Sequence, residues 1–301
     1  MTHKNSPKKT PIIHLARTAG FCFGVKRAIR MAHELAKSGG TTQAPPEASP
    51  RRVHMLGDLV HNQAVIAGLE NAGIKKITRL GNGRGKTLLI RAHGAGRRLM
   101  AQAASHGYKI VDATCPMVRA IHEIVRRMDG KGYRIIVLGD RRHEEVQGIV
   151  GQIAGKTLII DKIKNIPWPQ IKKIRKAAIV VQSTQNMDHI LPIVTALKGK
   201  INEIKFFNTI CRPTRMKQAE MKTMPLQHDV VIVIGSRSSA NTRRLHEISR
   251  ALNPRTCRIE SAAEIKADWF KKSKMIGITA GASTPQSAIR SVIGRIKELT
   301  R

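Results

Sequence analysis

Three cysteines, Cys22, Cys115 and Cys211, lie 93 and 96 residues apart in a chain of 301. Each occupies the same place in a local pattern: a short apolar run, a polar turn holding the cysteine, then a helix. Ile12-Ile13-His14-Leu15 leads to Cys22 and a helix from about Gly24. Tyr108 to Asp112 leads to Cys115, where Pro116 opens the helix at a position that needs no N–H. Ile204 to Phe207 leads through Asn208-Thr209-Ile210 to Cys211. A single free cysteine is commonly a packing residue, but a matched position in three copies favours one shared site. Three thiols without a fourth equivalent allow a metal site of three cysteine ligands, with zinc as one occupant. They also allow a cuboidal iron–sulfur cluster with one iron left to substrate. Cys257 has no counterpart in the other copies and reads as a packing residue.

A second polar set falls at further strand ends. Val53 to Gly57 leads to His61, Ile135 to Gly139 leads to His143, and Val231 to Gly235 leads to Ser239 and Asn241. Leu88-Leu89-Ile90 reaches His93, Ile179-Val180-Val181 reaches Gln182-Ser183-Thr184, and Ile276-Gly277-Ile278 reaches Ser283. Imidazole, hydroxyl and amide donors at helix starts make an anion site, above all for phosphate. Gly94, Gly235 and Gly281 lie beside them and would let backbone N–H groups approach. One histidine is usually structural or on the surface, whereas three at matching strand ends are better explained by a diphosphate. Glu145 lies in the first turn of a helix. There it is either favoured by the macrodipole or a proton donor whose pKa is raised in a closed pocket, and spacing leaves both open. Asp112 reads as a turn residue.

Three copies of a βα unit of roughly 95 residues must carry these groups, and such a repeat precedes every other assignment. Alternating strands and helices predict an α/β class, with ligands at the carboxyl ends of mostly parallel strands. If an approximate threefold axis relates the copies, all nine ends converge on one pocket; three independent lobes are the alternative. The expected lobes are residues 12–114, 115–210 and 211–285, with a Pro/Gly/Ser/Thr-rich insertion over 38–52. A final helix, within 286–301, is expected to pack on the first lobe. No apolar run of 18 residues predicts a membrane span, the first residues lack a secretory h-region, and a cytoplasmic protein is expected. The cysteines have no close pairs, which speaks against a disulfide framework. The net charge of +34 is spread along the chain and only 3% of residues are aromatic. The stacking platforms of single-strand binding are therefore scarce, and no specific nucleic acid is expected. An anionic substrate or acidic partner is the chemical reading of that charge.

These motifs together resemble the LytB family of 4-hydroxy-3-methylbut-2-enyl diphosphate reductases. The resemblance runs through Ala19-Gly20-Phe21-Cys22-Phe23-Gly24-Val25, Val60-His61-Asn62, Arg91-Ala92-His93-Gly94 and Asp112-Ala113-Thr114-Cys115-Pro116. It continues through His143-Glu144-Glu145-Val146-Gln147-Gly148, Thr209-Ile210-Cys211, Asn241-Thr242 and Thr279-Ala280-Gly281-Ala282-Ser283-Thr284-Pro285, covering about residues 12 to 290. It implies three pseudo-threefold-related α/β lobes around one central [4Fe–4S] cluster per chain. Cys22, Cys115 and Cys211 would be the ligands, with one iron not held by cysteine. The diphosphate would be held by His61, His93, His143, Ser239, Asn241 and Ser283, with Ser183 and Ala240 also lining the substrate site, and Glu145 would deliver protons. Two electrons and two protons would remove the substrate's hydroxyl as water, giving isopentenyl and dimethylallyl diphosphate. A ferredoxin or flavodoxin would supply the electrons. The chain departs from the family pattern at Glu144, where Pro is usual, at Ser183 for Thr, and at Ala240, where many members have a second Ser. A dehydratase with no net electron transfer, a zinc protein and a nucleic-acid-binding protein are the competing readings. Turnover without a reductant, a colourless preparation and salt-sensitive RNA binding would respectively mark them.

Overall fold

The computed structural model describes residues 10–38 and 52–301. The insertion expected over 38–52 lies almost wholly outside the described residues, as do residues 1–9. The chain begins with β1 (Ile12–Leu15), α1 (Phe23–Lys37), β2 (Val53–Leu56), α2 (Gln63–Asn71), β3 (Lys75–Ile77), β4 (Thr87–Ile90), α3 (Arg97–Ser105) and β5 (Lys109–Asp112). It continues with α4 (Pro116–Gly130), β6 (Arg134–Leu138), α5 (Glu144–Val150), β7 (Leu158–Ile160), α6 (Trp168–Ile171), β8 (Lys176–Val181), α7 (Met187–Lys198) and β9 (Glu203–Phe207). It closes with α8 (Arg212–Met221), α9 (Met224–Gln227), β10 (Val230–Ile234), α10 (Ala240–Leu252), β11 (Thr256–Ile259), β12 (Met275–Ala280) and α11 (Gln286–Leu299). Among the described residues no helix is long and apolar enough to cross a membrane.

Among the described residues the strands form three four-stranded sheets, all parallel, ordered β3-β2-β4-β5, β7-β6-β8-β9 and β11-β10-β12-β1. The α/β class and the three lobes are thus as expected. The central strands are continuous apolar runs because both faces are covered. In β10 the alternation of side chains is visible in the packing. Val230, Ile232 and Ile234 meet α11, whereas Val231 and Val233 meet Met221, Met224 and Leu245. The middle sheet is sandwiched likewise, with Ile190, Ile193 and Leu197 of α7 on one face and Ile121, Val125 and Met128 of α4 on the other.

Two expectations about the lobes need correction. β1, expected in the lobe of residues 12–114, instead pairs with β12, Ile12 opposite Met275 and Leu15 opposite Ile278. The strand ahead of each cysteine, β1, β5 or β9, is the outer strand of its sheet. The third sheet therefore takes its outer strand from the start of the repeat pattern. The final helix, expected on the first lobe, buries Ile289, Val292 and Ile296 against β10 and β12 of the third sheet. It meets Ile13 and Ala19 only because those residues belong to that sheet's own layer. The chain divides into two compact units, one of residues up to Cys22 with Arg212–Arg301, the other of Phe23–Cys211. Sheets β3-β2-β4-β5 and β7-β6-β8-β9 belong to the second unit and the remaining sheet to the first.

Candidate functional site

All three repeated cysteines stand where a strand has ended and a helix is about to start, and each backbone N–H is tied down. Within the larger unit Cys115 N–H donates to Ala92 carbonyl (3.0 Å) and Cys211 N–H to Ser183 carbonyl (3.1 Å). In the smaller unit Cys22 N–H donates to Ala282 carbonyl (3.1 Å). Asp112 holds the turn before Cys115 by accepting from the backbone N–H of Thr114 (2.9 Å) and from Arg119 (3.0 Å). A Cβ at Gly24 would lie 2.5 Å from Cys115 Sγ, so the first turn of α1 approaches this thiol at a distance only glycine permits. None of the cysteines is in a disulfide, and all three are half-buried. Half-buried reduced thiols on anchored turns suit a soft metal centre. Cys257 instead packs into the core beside β10, where burial pushes its thiol pKa up.

The larger unit gathers the three histidines. The rings of His61 and His93 stack with centroids 4.3 Å apart, and His143 stands edge-on to both at 5.3 and 5.5 Å. His143 caps α5, its Nδ1 accepting from Glu145 N–H (3.1 Å). That bond leaves the ring proton on Nε2 as a donor. Burial, and then the neighbouring His93, lower the His61 pKa to about 4, so its imidazole is neutral at pH 7. Glu144 adds a carboxylate to the cluster. Its Oε1 pairs with Arg91 (2.5 Å) and its Oε2 lies 3.4 Å from His93 Nδ1. Burial pushes the Glu144 pKa up, but His93 and the Arg91 guanidinium outweigh it and hold the carboxyl at about 2. The residue is the first of α5, a position where Pro and an acid are both well tolerated. The departure from Pro therefore leaves the helix start intact. Ligating atoms of His61, His93 and Glu144 lie within 4.8 Å of one another. The Arg91 guanidinium already pairs with Glu144 and opposes a cation there.

Glu145, one residue further, is 1% exposed. Its Oε1 accepts from Ser183 N–H (2.6 Å) and its Oε2 from Ser183 Oγ (2.8 Å). Desolvation raises its pKa, outweighing both Ser183 bonds, which favour the charged form. Ser183 in place of Thr thus keeps the contact that matters. Gln182 beside it is wholly buried and accepts from Asp140 N–H (2.8 Å), which fixes the turn on which Ser183 stands.

In the smaller unit Ser239 caps α10, accepting from Thr242 N–H (3.3 Å). Ala240 and Asn241 are the buried first residues of the helix. Asn241 is 3% exposed, and neither its Oδ1 nor its Nδ2 has a hydrogen-bond partner among the described residues. An orphaned buried amide is costly unless a ligand completes it. The turn after β12, which bears Ser283, closes on this helix start. A Cβ at Gly281 would come 2.1 Å from Thr242 Oγ1, and one at Gly235 (φ +146°) would come 2.6 Å from the same atom.

Sequence reasoning singled out neither Arg91 as a partner of Glu144 nor two residues of α8. Lys217 is 2% exposed and donates to the carbonyls of Thr18, Gly20 (3.0 Å) and Ala280 (3.1 Å). Burial draws its pKa down to about 8. Glu220 accepts from Arg17 N–H (2.6 Å) and Thr18 N–H (3.1 Å). A Lys and a Glu three residues apart on a helix carry no signal that sets them off from a surface ion pair.

The family model described as LytB protein matches residues 13–297. The chain is similar to 4-hydroxy-3-methylbut-2-enyl diphosphate reductase of Geobacter metallireducens, 40% identical over 287 residues, 95% of this chain and 97% of the relative. It is 37% identical over 290 residues to the reductase of the same name from Aquifex aeolicus, covering 95% of this chain and 96% of that one. Among solved structures it resembles (E)-4-hydroxy-3-methyl-but-2-enyl diphosphate reductase, described as the terminal enzyme of the non-mevalonate pathway. That likeness has a TM-score of 0.69 at 37% identity, over 95% of this chain and 99% of that one. The E-1-hydroxy-2-methyl-but-2-enyl-4-diphosphate reductase of Plasmodium falciparum superposes with a TM-score of 0.84 at 27% identity, over 95% and 87%.

Proposed function

The chain belongs to the LytB family, and from that premise we propose that it is a 4-hydroxy-3-methylbut-2-enyl diphosphate reductase acting through the residues described above. The observation that carries the reading is the family match over residues 13–297, a span that contains the three cysteines and the assigned donors. The reaction takes up two electrons and two protons, breaks the C–O bond of the allylic hydroxyl, and yields water with isopentenyl and dimethylallyl diphosphate.

Cys22, Cys115 and Cys211 fit an iron–sulfur group by the chemistry of the donor set: three reduced, half-buried thiols on anchored turns. We assign them as the ligands of a [4Fe–4S] cluster, one per chain, with one iron not held by cysteine. When bound, such a cluster supplies electrons one at a time and the Lewis acidity that weakens the C–O bond. The protein supplies the rest. His61, His93 and His143 present N–H donors to the diphosphate; Ser239 and Ser283 add hydroxyls, and Asn241 brings an amide that has no other partner among the described residues. Ala240 lacks a hydroxyl, and backbone N–H groups at the start of α10 take the place of that contact. Glu145, whose pKa burial raises, delivers a proton. Ser183 sets its orientation through two bonds to one carboxyl.

The electron donor we assign is an acidic ferredoxin or flavodoxin, for which a chain of net charge +34 is electrostatically matched. Cysteines outside disulfides are in keeping with a reducing cytoplasmic setting. The test is anaerobic turnover of the hydroxylated diphosphate by reconstituted protein with dithionite and a viologen. Formation of both five-carbon diphosphates with two electrons consumed per turnover is expected. Dehydration that proceeds without reductant would replace this reading with that of a dehydratase.

A further inference from the structure

The segment that delivers Cys22 is gripped by α8 through two opposite charges one helical turn apart. Lys217 donates from Nζ to the carbonyls of Thr18, Gly20 and Ala280, while Glu220 accepts from the N–H groups of Arg17 and Thr18 and from Thr18 Oγ1 (2.5 Å). Residues three apart share one face of a helix, so a single face satisfies both the donors and the acceptors of residues 17–20. Gly20 N–H then reaches Ala280 carbonyl (3.3 Å) and Cys22 N–H reaches Ala282 carbonyl. The groups form a closed set around the turn that ends at the cysteine.

Burying an ammonium is costly, and an apolar side chain of similar length would fill the volume with no such penalty. The charge is accounted for by what it holds. β1, which leads into this turn, is a four-residue outer strand with three of its residues exposed, Ile12 among them at 59%. Such a strand opens easily and fixes its successor poorly. The turns before Cys115 and Cys211 are held differently: Asp112 accepts from Thr114 N–H in the one, while in the other Asn208 accepts from Ile210 N–H and Thr209 Oγ1 accepts from Val181 N–H of the neighbouring strand.

We propose that Lys217 and Glu220 are positioning residues, a two-charge clamp that holds residues 17–20 so that Cys22 presents its thiolate for metal ligation. This rests on the ligand role assigned to Cys22 above. The test compares full-length wild type with Lys217→Met, Lys217→Arg and Glu220→Gln. Amide hydrogen exchange is followed in peptides covering residues 16–22, and iron and acid-labile sulfide are counted after reconstitution. Met keeps the length and volume of Lys, so a packing role would leave Lys217→Met like wild type, whereas Arg keeps the charge and the donors.

In Lys217→Met, exchange over 16–22 should accelerate at least about tenfold while peptides around Cys115 and Cys211 stay as in wild type. Iron per chain should fall, and Lys217→Arg should restore both readings. Glu220→Gln, which leaves the Lys217 bonds in place, covers the case in which Lys217→Met fails to fold, and should show a smaller acceleration confined to the same peptide. Wild-type exchange over 16–22 in both Lys217→Met and Glu220→Gln would overturn the clamp, as would equal acceleration around all three cysteines. A Cys22→Ser protein that keeps wild-type iron would remove the ligand assignment and leave the exchange result to judge the clamp.

Discussion

Glu145 shows how two opposed effects set one carboxyl. Its near-total burial favours the neutral acid, and two hydrogen bonds from Ser183 favour the carboxylate. Burial wins, and the acid keeps its proton to a higher pH than an exposed glutamate near 4.3 would. Replacing Glu145 by Gln should cut kcat by about 100-fold or more while substrate still binds, since general acid catalysis is worth roughly that much. Steady-state kinetics with direct binding of the diphosphate separate the two effects. Activity that needs the protonated acid falls as pH rises through its pKa. Ser183→Ala removes a bond that favours the charged form, so the pKa rises further and the falling limb of the kcat profile should move to higher pH. A limb that moved to lower pH would contradict this assignment. Asn241 makes a different prediction. Its amide has no partner among the described residues, so Asn241→Ala gives up no hydrogen bond to them. Thermal stability should hold or rise, while binding of inorganic diphosphate, read by calorimetry, should weaken about tenfold, near 1.4 kcal/mol. That combination is the mark of a side chain kept for a ligand rather than for the fold.

At the scale of elements, the residues of the smaller unit proposed to hold the diphosphate depend on the close approach of two turns to the start of α10. The turn after β12 comes so near Thr242 at Gly281 that any side chain there meets its hydroxyl. Gly281→Ala should therefore destabilise the protein by about 1–3 kcal/mol through overpacking, visible as a lower urea midpoint. It should also weaken diphosphate binding, because the Ser283 turn must move away from the helix. A parallel case is α5, which carries His143 as its cap and Glu144 and Glu145 as its first two residues. Three polar side chains share one helix start, and Nδ1 of the capping histidine secures the N–H of Glu145. The same sharing explains why Glu144 can stand where Pro is usual: the first helical position accepts either, and the carboxylate finds Arg91.

For the whole molecule, the dominant fact is 54 Lys and Arg against 20 Asp and Glu. Charge of one sign over so much of the chain raises the encounter rate with an acidic protein and is screened within about 8 Å at physiological salt. Reduction by a ferredoxin or flavodoxin should slow at least about tenfold between low and high ionic strength, whereas reduction by a small uncharged mediator should barely change. Stopped-flow measurement of both at matched salt separates the effects, and a donor-driven rate indifferent to salt would rule out electrostatic steering.

The repeat, the α/β class, the parallel strands and the polar strand ends were legible in the sequence because they are local. An apolar run stopping at a polar turn marks the end of a buried strand, whatever the rest of the chain does. The cysteines, the three histidines, Glu145, Ser183, Ser239, Asn241 and Ser283 could be singled out for the same reason, each lying at such an end. What could not be read were pairings between residues far apart in sequence. β1 belongs with β12, 263 positions away in register (Ile12 with Met275), because a parallel sheet accepts any strand of the right pattern at its edge and sequence order does not decide which. Glu144 meets Arg91, Ser183 meets Glu145, and Lys217 and Glu220 meet residues 17–20 only through the tertiary fold. Local pattern determined which residues the strand ends would present. Tertiary structure alone decided which carboxyl lost its water, which amide was left without a partner and which charge was buried, since desolvation depends on everything packed around a group and not on its neighbours in the chain.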